Sequence, residues 1–389
     1  VRRVTLVVVA ALVLAADLAP AQQATQRRFP RQWLYAGVGV LVTGAAALVY
    51  ASSGDPDFRS PCSSTGCVTT ASVVTGFVAG FLIGREVDGL YRKRYRAAPP
   101  LRVRGEAIPI SVEPRALRSR LGTIAAAGEG GVELFSAGPR IERGDVRARG
   151  LRGIVTAVPD ASTNRLLVAT TTGLYGFRLA GGEPAGLLLF PGEVGALDAR
   201  RDRAVMALGG ALVEARLSED SVLTARAPRR FSSPVTSVAW DPNRPIVWAL
   251  TETALIALEV ADTALADSLG AMAIPGTGRG MALGEGVIAV AAGEGGVLTV
   301  DASDPRQLRA LGSWQGSRYA YDVALAPGAL WLAGGPEGLF ALTRNEDGSL
   351  SPLGLASGLG FISDLETDHN YLYVLDRSGN ILRRIALAP

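Results

Sequence analysis

The sequence predicts an all-β fold, a seven-bladed β-propeller, preceded by a two-helix transmembrane hairpin. Three observations predict it. Short apolar runs recur about every 40 residues over the last three quarters of the 389-residue chain. Each run is broken by Gly, Pro, Asp or Asn after the length of a strand, too soon for a helical repeat. Two uncharged apolar stretches long enough to cross a bilayer lie ahead of the repeats.

The repeats align on an apolar run, a turn and a second apolar run, at 124–135, 168–177, 206–215, 248–258, 289–300, 331–342 and 373–381. Ala126-Ala127-Gly128-Glu129-Gly130-Gly131-Val132 returns almost unchanged as Ala291-Ala292-Gly293-Glu294-Gly295-Gly296-Val297, four periods later. Such units match propeller blades of several short strands each. In one unit, 280–283 and 286–291 read as the two inner strands, followed by the turn 293–296, a third strand over 297–301, an Asp304-Pro305 turn and an outer strand over 308–314. The last unit, 362–387, has room for only three strands. The alternating segment 101–110 is expected to supply the fourth and close the ring, leaving no unpaired edge. The propeller therefore spans 101–389.

Val297-Leu298-Thr299-Val300-Asp301, followed by Ala302-Ser303-Asp304-Pro305, resembles the LVIVD repeat of bacterial surface and periplasmic propellers. Residues 130–135 and 334–342 keep only the first half of that pattern. The resemblance implies a WD40-like propeller in an exported protein, and it implies no common enzymatic activity.

The N-terminal quarter reads differently. Residues 1–21 carry a basic start at Arg2-Arg3, an apolar run and Ala19-Pro20-Ala21, the pattern of a cleaved secretory signal; an uncleaved anchor is the alternative. A basic segment, 22–32, leads to transmembrane helix 33–51, a loop over 52–67 with Cys62 and Cys67, transmembrane helix 68–84, and a basic linker over 85–100. Gly37 and Gly44 in the first helix, and Gly76, Gly80 and Gly84 in the second, allow close helix packing of glycine-zipper type.

Topology is in conflict. Arginines on both flanks place the propeller in the cytoplasm by the positive-inside rule, whereas a cleaved signal places it outside. A Cys62–Cys67 disulfide needs the loop, not the flanks, in an oxidising compartment; free thiols are the alternative. The cleavage pattern is the more specific signal, so the propeller is expected on the periplasmic side of a bacterial envelope, with membrane lipid and an envelope or membrane protein as partners.

Composition narrows the chemistry. The net charge is only +3 and arginines are not interleaved with aromatics, which argues against nucleic acid. A single histidine, His369, and two cysteines exclude a His-rich metal centre and leave no Ser-His-Asp arrangement in context. No metal or cofactor is indicated, and no catalytic residue is assigned. The remaining candidates for ligand contact are Asp198, Asp202, Asp241, Asp322, Asp364 and Asp368, on or just after inner strands, with Tyr319 and Tyr321 beside one. Asp residues there also cap turns, as the segment 241–245 is expected to do. Trp240, Trp248, Trp314 and Trp331 read as packing between blades, and Glu129, Glu294 and Glu337 as solvated turn residues. The functional expectation is a binding scaffold. The alternatives are an exported hydrolase or lyase acting through face carboxylates, and a structural subunit of a larger membrane complex.

Overall fold

Each repeat folds into one small antiparallel sheet. The computed structural model describes residues 98–387, apart from 139, 161–162, 180–185, 219–221, 261–264, 346–347 and 369. The expected signal, both transmembrane helices with Gly37, Gly44, Gly76, Gly80 and Gly84, the pair Cys62 and Cys67, and His369 all lie outside the described residues. Among the described residues no helix is long and apolar enough to cross a membrane.

The first strand is β1 (Gly105–Pro109). Blade 1 follows with β2 (Glu113–Arg120), β3 (Thr123–Glu129), β4 (Gly131–Ser136) and β5 (Glu142–Arg147). Blade 2 is β6 (Ile154–Asp160), β7 (Arg165–Thr170), β8 (Gly173–Arg178) and β9 (Leu187–Pro191). Blade 3 is β10 (Ala196–Arg200), β11 (Arg203–Leu208), β12 (Ala211–Leu217) and β13 (Val222–Ala225), with the short β14 (Arg229–Arg230) also pairing with β12. Blade 4 is β15 (Val235–Trp240), β16 (Ile246–Thr251), β17 (Ala254–Val260) and β18 (Leu265–Ala273). Blade 5 is β19 (Gly280–Leu283), β20 (Val287–Ala291), β21 (Val297–Asp301) and β22 (Arg309–Trp314). Blade 6 is β23 (Asp322–Ala326), β24 (Ala329–Ala333), β25 (Leu339–Arg344) and β26 (Leu350–Ala356). Blade 7 is β27 (Ile362–Asp368), β28 (Tyr371–Asp376) and β29 (Ile381–Ala386), and β1 completes it as the outer strand.

Ring closure is therefore made by the two ends of the described chain. β1 pairs antiparallel with β29 from Gly105↔Ile385 to Pro109↔Ile381. The first strands touch their neighbours in turn, with β27 returning to β2, so they line the axis. Seven apolar cores lie among the described residues, one at each blade interface.

Strand alternation explains how one strand feeds two cores. On β3, Ile124 and Ala126 pack with Tyr373 and Leu375 of blade 7, whereas Ala125 and Ala127 pack with Ile154 and Leu166 of blade 2. All four β3 residues are fully buried, so the strand reads as a continuous apolar run. The alanines suit the narrow part of the wedge, Phe135 fills it one strand further out, and in blade 4 the second strand carries the fully buried Trp248. Trp240, Trp248 and Trp331 are buried and Trp314 is half-buried against Phe340, which agrees with packing roles.

The glycine turns do more than reverse the chain. Gly293 and Gly335 adopt φ of 54° and 58°, a left-handed conformation that favours glycine. In that conformation Gly293 O accepts from Ala320 N at 2.8 Å, and Gly335 exchanges two bonds with Ile362. Each turn thus latches onto the start of the next blade. In the LVIVD-like stretch, Asp301 accepts from Ser303 N at 3.0 Å and Asp304 from Arg306 N at 2.9 Å, so both aspartates cap turns.

Two buried glutamates went unnoticed in the sequence. Glu133 of β4 accepts Ser111 N and Oγ, each at 2.6 Å, and pairs with Arg143. Because Ser111 lies two residues after the end of β1, Glu133 fastens the closing strand to blade 1. Glu214 of β12 is held by Arg226 at 2.8 Å and Arg203 at 3.3 Å.

Candidate functional site

The inner strands bring charge to the axis. Period-2 alternation places Arg118 and Arg120 on one side of β2, Asp198 and Arg200 on one side of β10, and Asp364 and Glu366 on one side of β27. These side chains meet across the channel.

Three carboxylates bind the next blade through its backbone. Asp322 Oδ2 accepts from Leu365 N at 2.8 Å, and Asp364 Oδ2 accepts from Leu117 N at 3.1 Å. Asp198 Oδ2 accepts from Trp240 N at 2.8 Å, while its Oδ1 takes Ala199 N at 2.8 Å. Arg118 sits among them, 3.2 Å from Glu366 and 3.7 Å from Asp364. Arg120 reaches past blade 2 to Asp198 of blade 3 at 3.1 Å. Arg200 donates to the carbonyls of Asp241 and Pro242 at 2.9 and 3.0 Å.

Above this cluster, at the C-terminal ends of β2, β6, β10 and β15, lies a cavity of about 370 Å³. Arg118, Arg120, Arg200 and Asp198 supply its polar wall; Val158, Pro159, Trp240 and Pro242 supply its apolar wall. The volume falls at the small end of ligand sites, which run from about 300 to 1,000 Å³.

Enclosure by protein raises the carboxyl pKa values. Burial pushes Asp198 up, and Arg120 with the Trp240 and Ala199 amides draws it partly back. Burial lifts Asp322 well above the carboxylate range, and the facing Asp364 adds to it, so the pair shares a proton held mainly on Asp322. Asp364 is also raised by burial, though Arg118 opposes this. Burial lifts Glu366 to about 8 despite Arg118 beside it. Burial alone would lower the pKa of Arg118, but the surrounding carboxylates, led by Asp364 and Glu366, raise it and keep the guanidinium charged. Water still reaches the cluster, since the Asp198 and Glu366 side chains keep 23 % and 21 % exposure.

Three of the expected ligand residues, Asp198, Asp322 and Asp364, thus converge on Arg118. The others do not join them. Asp202 lies in the turn after β10 and pairs with Arg216 at 3.2 Å on the surface. Asp241 caps the turn after β15, accepting Asn243 N, Arg244 N and the buried Trp248 indole N–H. Burial would raise its pKa, but Arg244 and these donors hold it below the usual range. Asp368 ends β27, opposite Tyr371.

Tyr319 and Tyr321 lie at the opposite ends of the inner strands, just before β23. Their rings touch at a tilt of 51° with centroids 4.7 Å apart; Tyr321 packs edge-on against Phe361 at 5.0 Å and Arg279 lies over Tyr319 at 5.5 Å. The turn glutamates differ from one another: Glu129 and Glu294 are exposed, whereas Glu337 is half-buried, accepts Arg318 N at 2.8 Å and has its pKa raised by burial. Among the described residues no three of His, Cys, Asp and Glu group so as to hold a metal ion.

The fold has counterparts among solved structures. The WD40 β-propeller domain of Doa1 aligns with a TM-score of 0.57 at 15% identity, over 73% of this chain and 96% of that one. A chain of the mitotic checkpoint complex aligns with a TM-score of 0.60 at 12% identity, over 75% and 97%. The fold is a seven-bladed β-propeller, similar in architecture to these chains. At these identities the likeness concerns the fold alone. No protein-family model and no curated protein matches the sequence. The LVIVD resemblance therefore rests on residues 297–305 only.

Proposed function

We propose that the chain is a binding scaffold of a bacterial cell envelope, tethered by its N-terminal apolar segments, with its recognition site at the axial mouth. The observation that carries the reading is the recess beside the Arg120–Asp198 bridge, where charged and apolar walls meet on a closed, rigid ring. Rigid elements around a recess preorganise a site at little entropic cost. The carboxylates that hydrolysis would employ are largely engaged in holding the next blade, which favours binding over turnover. A propeller chain within a checkpoint complex is in keeping with use of this fold in assemblies.

Support for the envelope comes from the signal-like residues 1–21, the uncharged stretches 33–51 and 68–84, and the LVIVD-like motif. Carbonate extraction of membranes, thiol labelling of Cys62 and Cys67, and protease shaving of intact spheroplasts test the tether and its topology. Extraction of the chain as a free protein would end the tethered reading.

Calorimetric titration of the full-length chain with small acids, amines, sugars and neutral aromatics tests the site. Saturable binding that disappears when Ser119→Trp, at a half-buried lining position, fills the recess supports it. The second reading, hydrolase or lyase, is favoured by one group: Glu366, an acid with a pKa lifted to about 8. Turnover of an ester, lactone or glycoside that is lost in Glu366→Gln, with no saturable binding of inert ligands, would move the function to catalysis.

A further inference from the structure

We infer that the axial mouth takes a small organic oxyanion, a carboxylate or phosphate carried on an apolar body. The inference rests on the binding reading above and specifies its ligand.

Charge balance is the first ground. Three guanidiniums, Arg118, Arg120 and Arg200, line the recess, against a single lining carboxylate, Asp198. Arg118 is compensated from below by Asp364 and Glu366, and Arg120 by Asp198. Arg200 has carbonyl partners only; no described carboxylate pairs with it. Of the three lining guanidiniums, Arg200 is thus the one with no described carboxylate partner, although the carboxylates of the mouth and the cluster below outnumber the guanidiniums when all are ionised. The balance moves toward positive charge as the buried acids Glu366 and Asp322 hold their protons.

Donor geometry is the second ground. A guanidinium presents five N–H groups in a planar fork that matches the oxygens of a carboxylate or phosphate. Arg200 spends NH1 and NH2 on fixed carbonyls of the next blade, which holds its plane in place. Arg120 is likewise fixed by Asp198 across the channel. Both forks border the same recess, so an oxyanion between them meets donors already oriented.

The apolar lining, which alternates with the charged strands around the mouth, sets the rest of the ligand. Val158, Pro159, Trp240 and Pro242 offer no charge, and Trp240 is 8% exposed with its indole packed against the blade core. A bare inorganic ion would leave this wall wet; a ring or short alkyl chain would cover it.

The test is calorimetric titration of the full-length chain at low salt with benzoate, phenyl phosphate, inorganic phosphate, benzyl alcohol and benzylamine. Benzoate or phenyl phosphate is expected to bind saturably, and the tighter of the two identifies the oxyanion source. Arg200→Gln is expected to weaken it by about ten-fold or more, the loss of a charge-assisted contact. Ser119→Glu, which deletes none of the bonds described and adds a negative charge to the wall, is expected to do the same. If Arg200→Gln lowers the melting temperature, Ser119→Glu decides. Benzyl alcohol or benzylamine binding as tightly as the anions would overturn the oxyanion assignment and leave the binding reading standing. So would anion binding that both variants leave unchanged. No saturable binding by any probe would overturn both.

Discussion

Asp364 and Leu117 join the two ends of the ring. The carboxylate of the last blade's inner strand accepts the backbone N–H of the first blade's inner strand at 3.1 Å, across 247 residues of sequence. Asp322 makes the same bond to Leu365 one blade earlier. An aspartate on an inner strand here is first an acceptor for an amide that has no ladder partner.

Asp364→Ala should therefore cost about 2–4 kcal/mol, because it orphans the Leu117 amide and strips Arg118 of a counter-charge. Asp364→Asn keeps an acceptor and should cost less than half as much. Denaturant titration followed by circular dichroism distinguishes the two; equal losses would refute the role of the Leu117 bond.

The axial acids also set a pH signature. Glu366 is raised by burial from 4.5 to about 8, so the folded state holds a proton that the unfolded chain releases. Its contribution is complete below about pH 4.5 and is lost as pH climbs through 8. Stability of the native chain should fall over that window, and Glu366→Gln should flatten the fall. Melting temperatures at pH 5, 6.5 and 8 measure it, and parallel curves for the two proteins would contradict it.

Glu133 has the opposite sign. Burial alone would raise its pKa, but Arg143 and Ser111 bring it below the usual range. Its stabilisation is present above pH 4.5 and fades as pH falls through the lowered value. Glu133→Ala should cost about 2–4 kcal/mol at pH 7 and progressively less in acid. A cost independent of pH would show that packing, not the ion pair, is lost.

Gly335 tests the latch between blades. A methyl group there would run into the Tyr321 ring, and the residue's φ of 58° disfavours any other side chain. Gly335→Ala should cost about 1–3 kcal/mol. Gly328→Ala, at φ 73° with open space around it, should cost no more than about 1 kcal/mol. Comparable losses at both sites would remove the latch from the account.

Seven blades were legible because the glycine turns and apolar runs repeat, and periodicity survives loss of identity at single positions. The axial cluster was only half legible. Asp198, Asp322 and Asp364 stood out as acids near inner strands, but Arg118, Arg120, Arg200 and Glu366 did not. A charged residue alternating in a strand normally faces water. In this ring the first strand of each blade faces the other first strands, so alternation turned the charge inward. Charges two apart on the first strands of blades 1, 3 and 7 were the available signal. Glu129, Glu294 and Glu337 show the reverse lesson. Their sequence contexts are similar, yet one pairs with Arg115, one with Thr277 and one with the Arg318 amide.

The pairing of β1 with β29 fixes an order of events during synthesis. β1 leaves the ribosome before any blade, but its partner is the last strand of the seventh blade. Until then β2 has no Asp364 to accept the Leu117 amide, and the blade 1 side of the Leu117–Tyr373 core faces solvent. The nascent chain therefore carries an open arc with two sticky ends, a form prone to joining a second chain in place of itself. The ring's last contact is also the one that makes it a single molecule.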